Sequence, residues 1–467
     1  MNVIKKIINN LYITIITIIV LFLFFGYLID KTYFSTIRII ILLLFGFLLL
    51  FVLQLLSKKI KKIKTVDTIF IIGLFLGIIF CFILNHYFCA YPSSDYKAVY
   101  EIARDIAWQK PLSNYGASYL STYPWNYSLV VTFLSVFKLF GTDLITLFIM
   151  NLIVTIIGVI FIYLTMRKIS SLSTTFVLSI FLLLYLPIYI YSLTPYTHTF
   201  SFMFISISLY IYTLIKDNFN IKNVLLLSII ISIGSLYKIT VFIFGIALTI
   251  ELVLKKKYNL AFIPLLSFLI IQKIFFYFID LSNICYIKTS EAKTSILHYF
   301  YLGSNPNTSG QYSDQDAHLA YEYALASNSE RNSMYIKAIK ERFQQMGFLG
   351  TINLYINKIQ VTWCDGLYQA TDNITKLMVN DNAVNRFFFM GKGYGFLKNI
   401  TQLLHLTLFT SVLYNSKTNK TNNIAVKLVA IGMFFYLLLF ECGSRYVFQF
   451  LPVLFYLASC NLKETIN

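Results

Sequence analysis

Asp95 lies in the stretch YPSSDYKAVYEIARD (residues 91–105), which follows directly on an apolar run long enough to cross a membrane. Behind it Ala98, Val99, Ile102, Ala103 and Ile106 recur at helical spacing, so an amphipathic helix is expected with Asp95 as its N-cap or in its first turn. There, free backbone N–H groups and the helix dipole would hold it as a carboxylate. An aspartate so placed either caps the helix and does nothing else, or serves as a general base aimed at a hydroxyl arriving at the membrane mouth. Three more charged residues stand where late apolar runs break: Lys238 in SLYKIT, and Glu441 and Arg445 in ECGSRY. Cations at that depth are costly unless paired or facing a polar cavity. The plain alternatives are snorkelling for Lys238 and a salt bridge to Glu441 for Arg445. The functional one is that two cations near a carboxylate hold a lipid-linked phosphate, arginine by a forked contact and lysine as a point charge.

The elements that must position these residues follow from composition. With 58% apolar and 12% charged residues and a mean hydropathy of +0.71, no soluble packing scheme covers the apolar surface. The runs have the length a helix needs to cross ~30 Å of hydrocarbon, and short alternating strands are lacking. The expected fold is an all-α polytopic membrane protein with about 12–13 transmembrane segments and a helical extracytoplasmic loop region. Residues 11–29 are too long for a signal-peptide core and no small-residue cleavage site follows, so they are expected to be retained. The net charge of +18 sits in short clusters between runs, including SKKIKKIK (57–64), which marks topology rather than nucleic-acid binding. The six cysteines show no metal or redox spacing and are expected as free thiols, although Cys285 and Cys364 share one large loop. Asn-x-Ser/Thr triplets carry little weight in a chain this rich in asparagine.

Spans are expected at 11–29, 37–56, 68–89, 143–165, 174–192, 198–216, 222–236, 240–254, 259–278, 396–414, 424–441 and 446–460. Placing the basic clusters inside leaves 127–140 as a re-entrant or interfacial segment, because it and 143–165 can make only one net crossing. Four regions result: 1–67, two helices and a basic loop; 68–278, a core with an acidic first outer loop (90–125); 279–395, an outer helical region; and 396–467, the last helices. Within the third, 313–345 and 351–366 read as two helices, and Trp363 suits a water–lipid interface. The inner face offers only short basic turns and no phosphate-binding loop.

The acidic first loop (SSDY), the proline-led segment YPWNYSLVVTFLSVFKLFG and the late SLYKIT turn resemble the GT-C superfamily of integral-membrane glycosyltransferases. SGQYSDQD, IKERFQQMG, KIQVTWCDG and the terminal ECGSRYVFQFLP look like its Gram-positive bacterial branch, related to the protein-mannosyltransferase and aminoarabinose-transferase type. The likeness covers most of the chain from about residue 70 onward, carried by the order of the motifs and their common face. It implies a hexosyltransferase in the cell membrane, with a polyprenyl-phosphate sugar as donor and inversion at the anomeric carbon. The acceptor would be an envelope glycopolymer, glycolipid or protein on the extracytoplasmic face. Asp95 matches the family's first-loop aspartate, the general base. Lys238 and Arg445, with Tyr446, would stabilise the departing lipid phosphate. Tyr123, His198, Glu441 and Trp363 are candidates for the substrate pocket. The chain departs from the family in that SDY has no adjacent second acid, and Tyr196 and His198 (TPYTH) stand where some relatives carry another aspartate. No metal and no cofactor are therefore expected.

Glu101 and Asp105 flank the apolar face and are expected on a solvated surface. Asp314 and Asp316 either shape an acceptor site or lie in a solvated loop. Two other functions compete: an envelope polysaccharide polymerase or ligase, and a flippase or transporter of lipid-linked sugars without catalysis. The first would lean on arginines in the outer loops, of which the large loop has few (Arg331, Arg342, Arg386). The second favours internal repeats, which the sequence lacks, and midplane charges.

Overall fold

The computed structural model describes residues 2–29, 36–88, 92–111, 113–282, 284, 295–323, 326–371, 392–418 and 423–460. Among these residues every regular element is helical, as expected where backbone polar groups find no water and must bond within their own segment. The chain opens with α1 (Asn2–Ile29), α2 (Thr36–Lys59) and α3 (Ile63–Phe88), followed by the shorter α4 (Ser94–Ala107), α5 (Asn114–Thr122) and α6 (Tyr127–Phe140). The core continues with α7 (Leu144–Ile169), α8 (Leu172–Leu183), α9 (Leu186–Tyr191), α10 (Thr197–Ile215), α11 (Ile221–Tyr237), α12 (Ile243–Leu254) and α13 (Tyr258–Leu281). A cap of α14 (Ile296–Gly303), α15 (Asp314–Glu322) and α16 (Asn328–Trp363) comes next. The described chain closes with α17 (Lys392–Thr418), α18 (Ile424–Leu439), α19 (Arg445–Phe448) and α20 (Leu451–Ser459). Among the described residues five helices are long and apolar enough to cross a membrane alone, and the protein is an all-α polytopic membrane protein.

Contacts fix the direction of each pass. Near the start of α3, Asp67 takes Arg167 (2.9 Å) and the Tyr163 hydroxyl (2.5 Å) from the last turns of α7. At the other end of the same pair Phe82 meets Phe148 edge to face at 5.4 Å, so α3 and α7 are antiparallel. α8 and α9 run alongside α3, and a Cβ on Gly77 would come within 2.5 Å of the Tyr189 ring, so only glycine allows that approach. Next to α7, α10 runs parallel: Thr199 donates to Asn151 (2.5 Å), and Tyr210 meets Phe161 at 5.4 Å two to three turns further on. One end of the bundle therefore collects Lys58, Lys59, Arg167, Lys168, Lys216, Lys222, Lys255 and Lys427; the opposite end collects Asp95, Lys238, Glu441 and Arg445.

Tyr96 and Tyr100 of α4 meet Phe133 and Phe137 of α6 edge to face at 6.1 and 5.8 Å, so segment 127–140 lies parallel to α4 and packs beside it. Glu101 and Asp105 are half-buried, 3.9 Å from Lys97 and 3.8 Å from Arg104, so the solvated surface expected for them is only partly open.

Several expectations are corrected. The outer helix expected at 313–345 is two, α15 and the first part of α16, which starts at a Ser327 N-cap; the break expected before 351 is present, since Gly347 (φ 62°, ψ −172°) is non-helical inside α16. Asp316 is neither a loop residue nor open to an acceptor. It is buried, accepts both Arg342 guanidinium nitrogens (3.1 and 3.0 Å) and takes the Asn305 amide at 2.8 Å, which ties α14, α15 and α16 together. The span expected at 446–460 is two helices, α19 and α20, the second opening on Pro452, whose ring removes a donor that helix interiors need. Cys364 is a free thiol; Cys285 lies outside the described residues, as does Arg386.

Candidate functional site

At the start of α4 the N-cap is Ser93, its backbone extended and its side chain making no cap bond. Ser94 has a φ of 49°, in the left-handed region that disfavours a residue with a Cβ. This local strain sets Asp95 in the first turn with its carboxylate turned to side chains, where the sequence suggested the helix's own N–H groups. It accepts the Tyr196 hydroxyl at 3.2 Å and hydrogen-bonds Tyr119. The carboxylate is walled by protein yet open to solvent, as in a recess. Loss of bulk water raises its pKa above the ordinary aspartate value; the Arg445 guanidinium and the two tyrosine hydroxyls oppose that rise, and Glu441 adds to it.

Lys238 enters from α11. That helix ends because Tyr237 is pinned, its ring stacked on Phe200 at 4.5 Å and its hydroxyl 2.9 Å from Thr132. The next residue turns to extended backbone (φ −155°, ψ 118°). Lys238 does not snorkel. Its Nζ donates to His198 Nδ1 at 2.9 Å and lies 4.2 Å from the centre of the Tyr446 ring.

The third group comes from the break between α18 and α19. Arg445 Nη2 donates to Glu441 Oε1 at 2.9 Å and to the Tyr446 hydroxyl at 3.0 Å, while that hydroxyl donates to the same carboxylate oxygen at 2.7 Å. The salt bridge is thus present, and Arg445 still keeps 36% of its side chain open. The break is pinned on three sides. Glu441 N–H donates to Tyr299 O (2.8 Å), Cys442 N–H to Gly310 O (2.9 Å) and Ser444 Oγ to Asp365 (2.6 Å). Beneath it Lys358, fully buried, donates to Gly303 O (2.6 Å) and to Phe440 O (2.8 Å). Burial pushes its pKa down to about 8.

Beside the carboxylates runs an arc of rings: Tyr119 to Tyr123 (5.3 Å), Tyr123 to Trp125 (5.8 Å) and Trp125 to Tyr299 (5.6 Å). Among the residues expected at a site, Asp95, Tyr123, His198, Lys238, Glu441, Arg445 and Tyr446 therefore come to one recess. Trp363 does not. It is buried against Phe409 and Phe434 at 6.1 and 6.2 Å, its carbonyl bonded to His405 Nε2 at 2.9 Å, because an indole packs in a core as readily as at an interface. Sequence reasoning missed Tyr119 and Lys358, whose pattern sets them apart from no other tyrosine or helical lysine. Tyr196 was noted only as the place of an absent aspartate, and it bonds the aspartate that is present.

Chemically, the recess offers a solvent-open carboxylate of raised pKa across from an arginine and a lysine whose own hydrogen bonds run to Glu441, Tyr446 and His198. No curated protein matches the chain. A family model described as a conserved hypothetical integral membrane protein matches residues 1–466, and the chain belongs to that family.

Proposed function

We propose that the protein is a GT-C-like membrane glycosyltransferase that moves a hexose from a polyprenyl-phosphate donor to a cell-envelope acceptor on the extracytoplasmic face. The observation that carries this is the Asp95 carboxylate sharing one recess with Arg445 and Lys238. Asp95 accepts the proton of the acceptor hydroxyl as that oxygen attacks the anomeric carbon. The bond from that carbon to the donor phosphate oxygen breaks with its electron pair on the oxygen, and the configuration inverts. Charge grows on the departing phosphate where Arg445 and Lys238 are already fixed, so little reorganisation is needed as it forms. The incoming anion favours the ammonium form of Lys238. The arc of Tyr119, Tyr123 and Trp125 gives an acceptor sugar flat apolar faces to lie against.

The test compares a deletion strain with the same strain carrying wild type or Asp95→Asn at matched expression, measuring polyprenyl-phosphate hexose by mass spectrometry. One such lipid is expected to accumulate in the deletion and the variant and to be consumed with wild type. Equal pools in all three strains overturn the transferase. Partial consumption by Asp95→Asn points instead to a carrier of the lipid without bond-making chemistry.

A further inference from the structure

At the basic end of the bundle, far from the Asp95 recess, the turn joining α10 to α11 meets the turn joining α12 to α13. Phe219 of the first turn has Lys255 Nζ at 4.6 Å and Lys257 Nζ at 5.8 Å from its ring centre. Lys257 also donates to the Phe219 carbonyl at 2.8 Å. Next to Phe219 opens a depression of about 520 Å³, lined by Phe219, Asn220, Ile221, Lys222, Asn223 and Leu260. In these two turns five lysines (216, 222, 255, 256 and 257) face two acids, Asp217 and Glu251, and Glu251 is already paired with Lys255 at 2.8 Å. Lys222 and Lys256 are exposed, and Lys256 is held outward by a left-handed backbone (φ 60°).

The surface leading from the depression towards the middle of the bundle is apolar. α11 exposes Ile221, Leu225 and Leu226; α13 exposes Phe262, Leu265 and Leu266, with Tyr258 exposed at the rim. A depression lined by one lysine, with the Lys255–Lys257 turn beside its Phe219 wall and two apolar helix faces leading away from it, matches an amphiphile with a negative head and hydrocarbon tails. A small soluble anion would leave those faces unused. We infer that this is a binding site for an anionic phospholipid, its phosphodiester between Lys222 and the Lys256–Lys257 pair and its acyl chains along α11 and α13.

The experiment is native mass spectrometry of the full-length protein in detergent, titrated with phosphatidylglycerol or phosphatidylcholine of the same chain length. Three proteins are compared: wild type, the Lys222→Gln/Lys256→Gln double variant, and Lys97→Gln, which removes an exposed lysine at the other end. Both lysines of the double variant are exposed, so folding is expected to be unchanged, and thermal unfolding checks this. Wild type and Lys97→Gln should retain phosphatidylglycerol over phosphatidylcholine, with affinity falling on the order of tenfold in the double variant. Equal retention of the two lipids, or unchanged retention in the double variant, overturns the site. Displacement of the lipid by millimolar inorganic phosphate would make it a general anion site, and that too overturns the proposal.

Discussion

Asp95 is held in a conformation that costs the fold something: a left-handed serine precedes it, no side-chain cap bond starts its helix, and the protein walls of the recess raise the pKa of its carboxyl. Between the unfolded and folded pKa values the folded state binds more protons, so stability falls as pH rises through that window and the penalty persists above it. Asp95→Asn removes the charge and keeps one acceptor for Tyr196. It is therefore expected to unfold at a temperature no lower than wild type at neutral pH while losing about two to four orders of magnitude in turnover. Thermal unfolding and turnover on the same preparation check this, and wild-type turnover should fall on acidification at a pH above the ordinary carboxylate range. A variant that melts well below wild type would mark Asp95 as a structural residue. Asp95, Lys238 and Arg445 could be picked out from sequence because charge at the break of an apolar run is rare and expensive. Asp316 could not, since its partner Arg342 lies 26 residues on and nothing local marks the pair.

At the scale of elements, the site depends on the short break between α18 and α19, and that break rests on Lys358 of α16. The lysine reaches two carbonyls from separate elements, Gly303 at the end of α14 and Phe440 just before Glu441. Lys358→Met would leave both carbonyls buried without a donor. A destabilisation of about 1–3 kcal/mol is expected, with weaker turnover as Glu441 and Arg445 lose their register. The pH dependence is a sharper test. Burial lowers the folded pKa to about 8 from 10.5, so the unfolded state holds more protons between these values and stability should rise across that window. The neutral amine still carries two N–H groups, enough for both carbonyls. Unfolding followed by denaturant from pH 8 to 10.5 should show the rise in wild type and not in Lys358→Met. No rise in wild type would place the ammonium in contact with water. α16 also marks how far periodicity reads: it gave the two helical halves and the break that falls at Gly347, but not the earlier break before the Ser327 N-cap. Trp363 was misplaced because its neighbours Phe409 and Phe434 come from later helices that no local pattern ties to it.

The whole molecule separates its charge by end, and that separation predicts which side of the membrane the recess serves. α11 has 17 residues, about 25 Å at ~1.5 Å per residue, short of the ~30 Å hydrocarbon. Rising from the basic end, it is expected to deliver Lys238 short of the far boundary, where the proposed lipid-borne phosphate would reach it from the bilayer. The positive-inside rule predicts the end rich in lysine and arginine on the cytoplasmic side, and the recess outside. Single cysteines at Tyr312, half-exposed near the recess, and at Lys256, exposed in the basic turn, report the two sides. Of the native thiols in the described residues, Cys81, Cys442 and Cys460 are buried and Cys364 is half-buried, so labelling of the unmodified protein sets the background. A membrane-impermeant maleimide added to intact cells should label Tyr312→Cys above that background and reach Lys256→Cys only after permeabilisation. The reverse pattern would put Asp95, Lys238 and Arg445 in contact with the cytoplasm. A soluble nucleotide sugar would then be the natural donor, and a polyprenyl phosphate would lose the reason for its place in the mechanism.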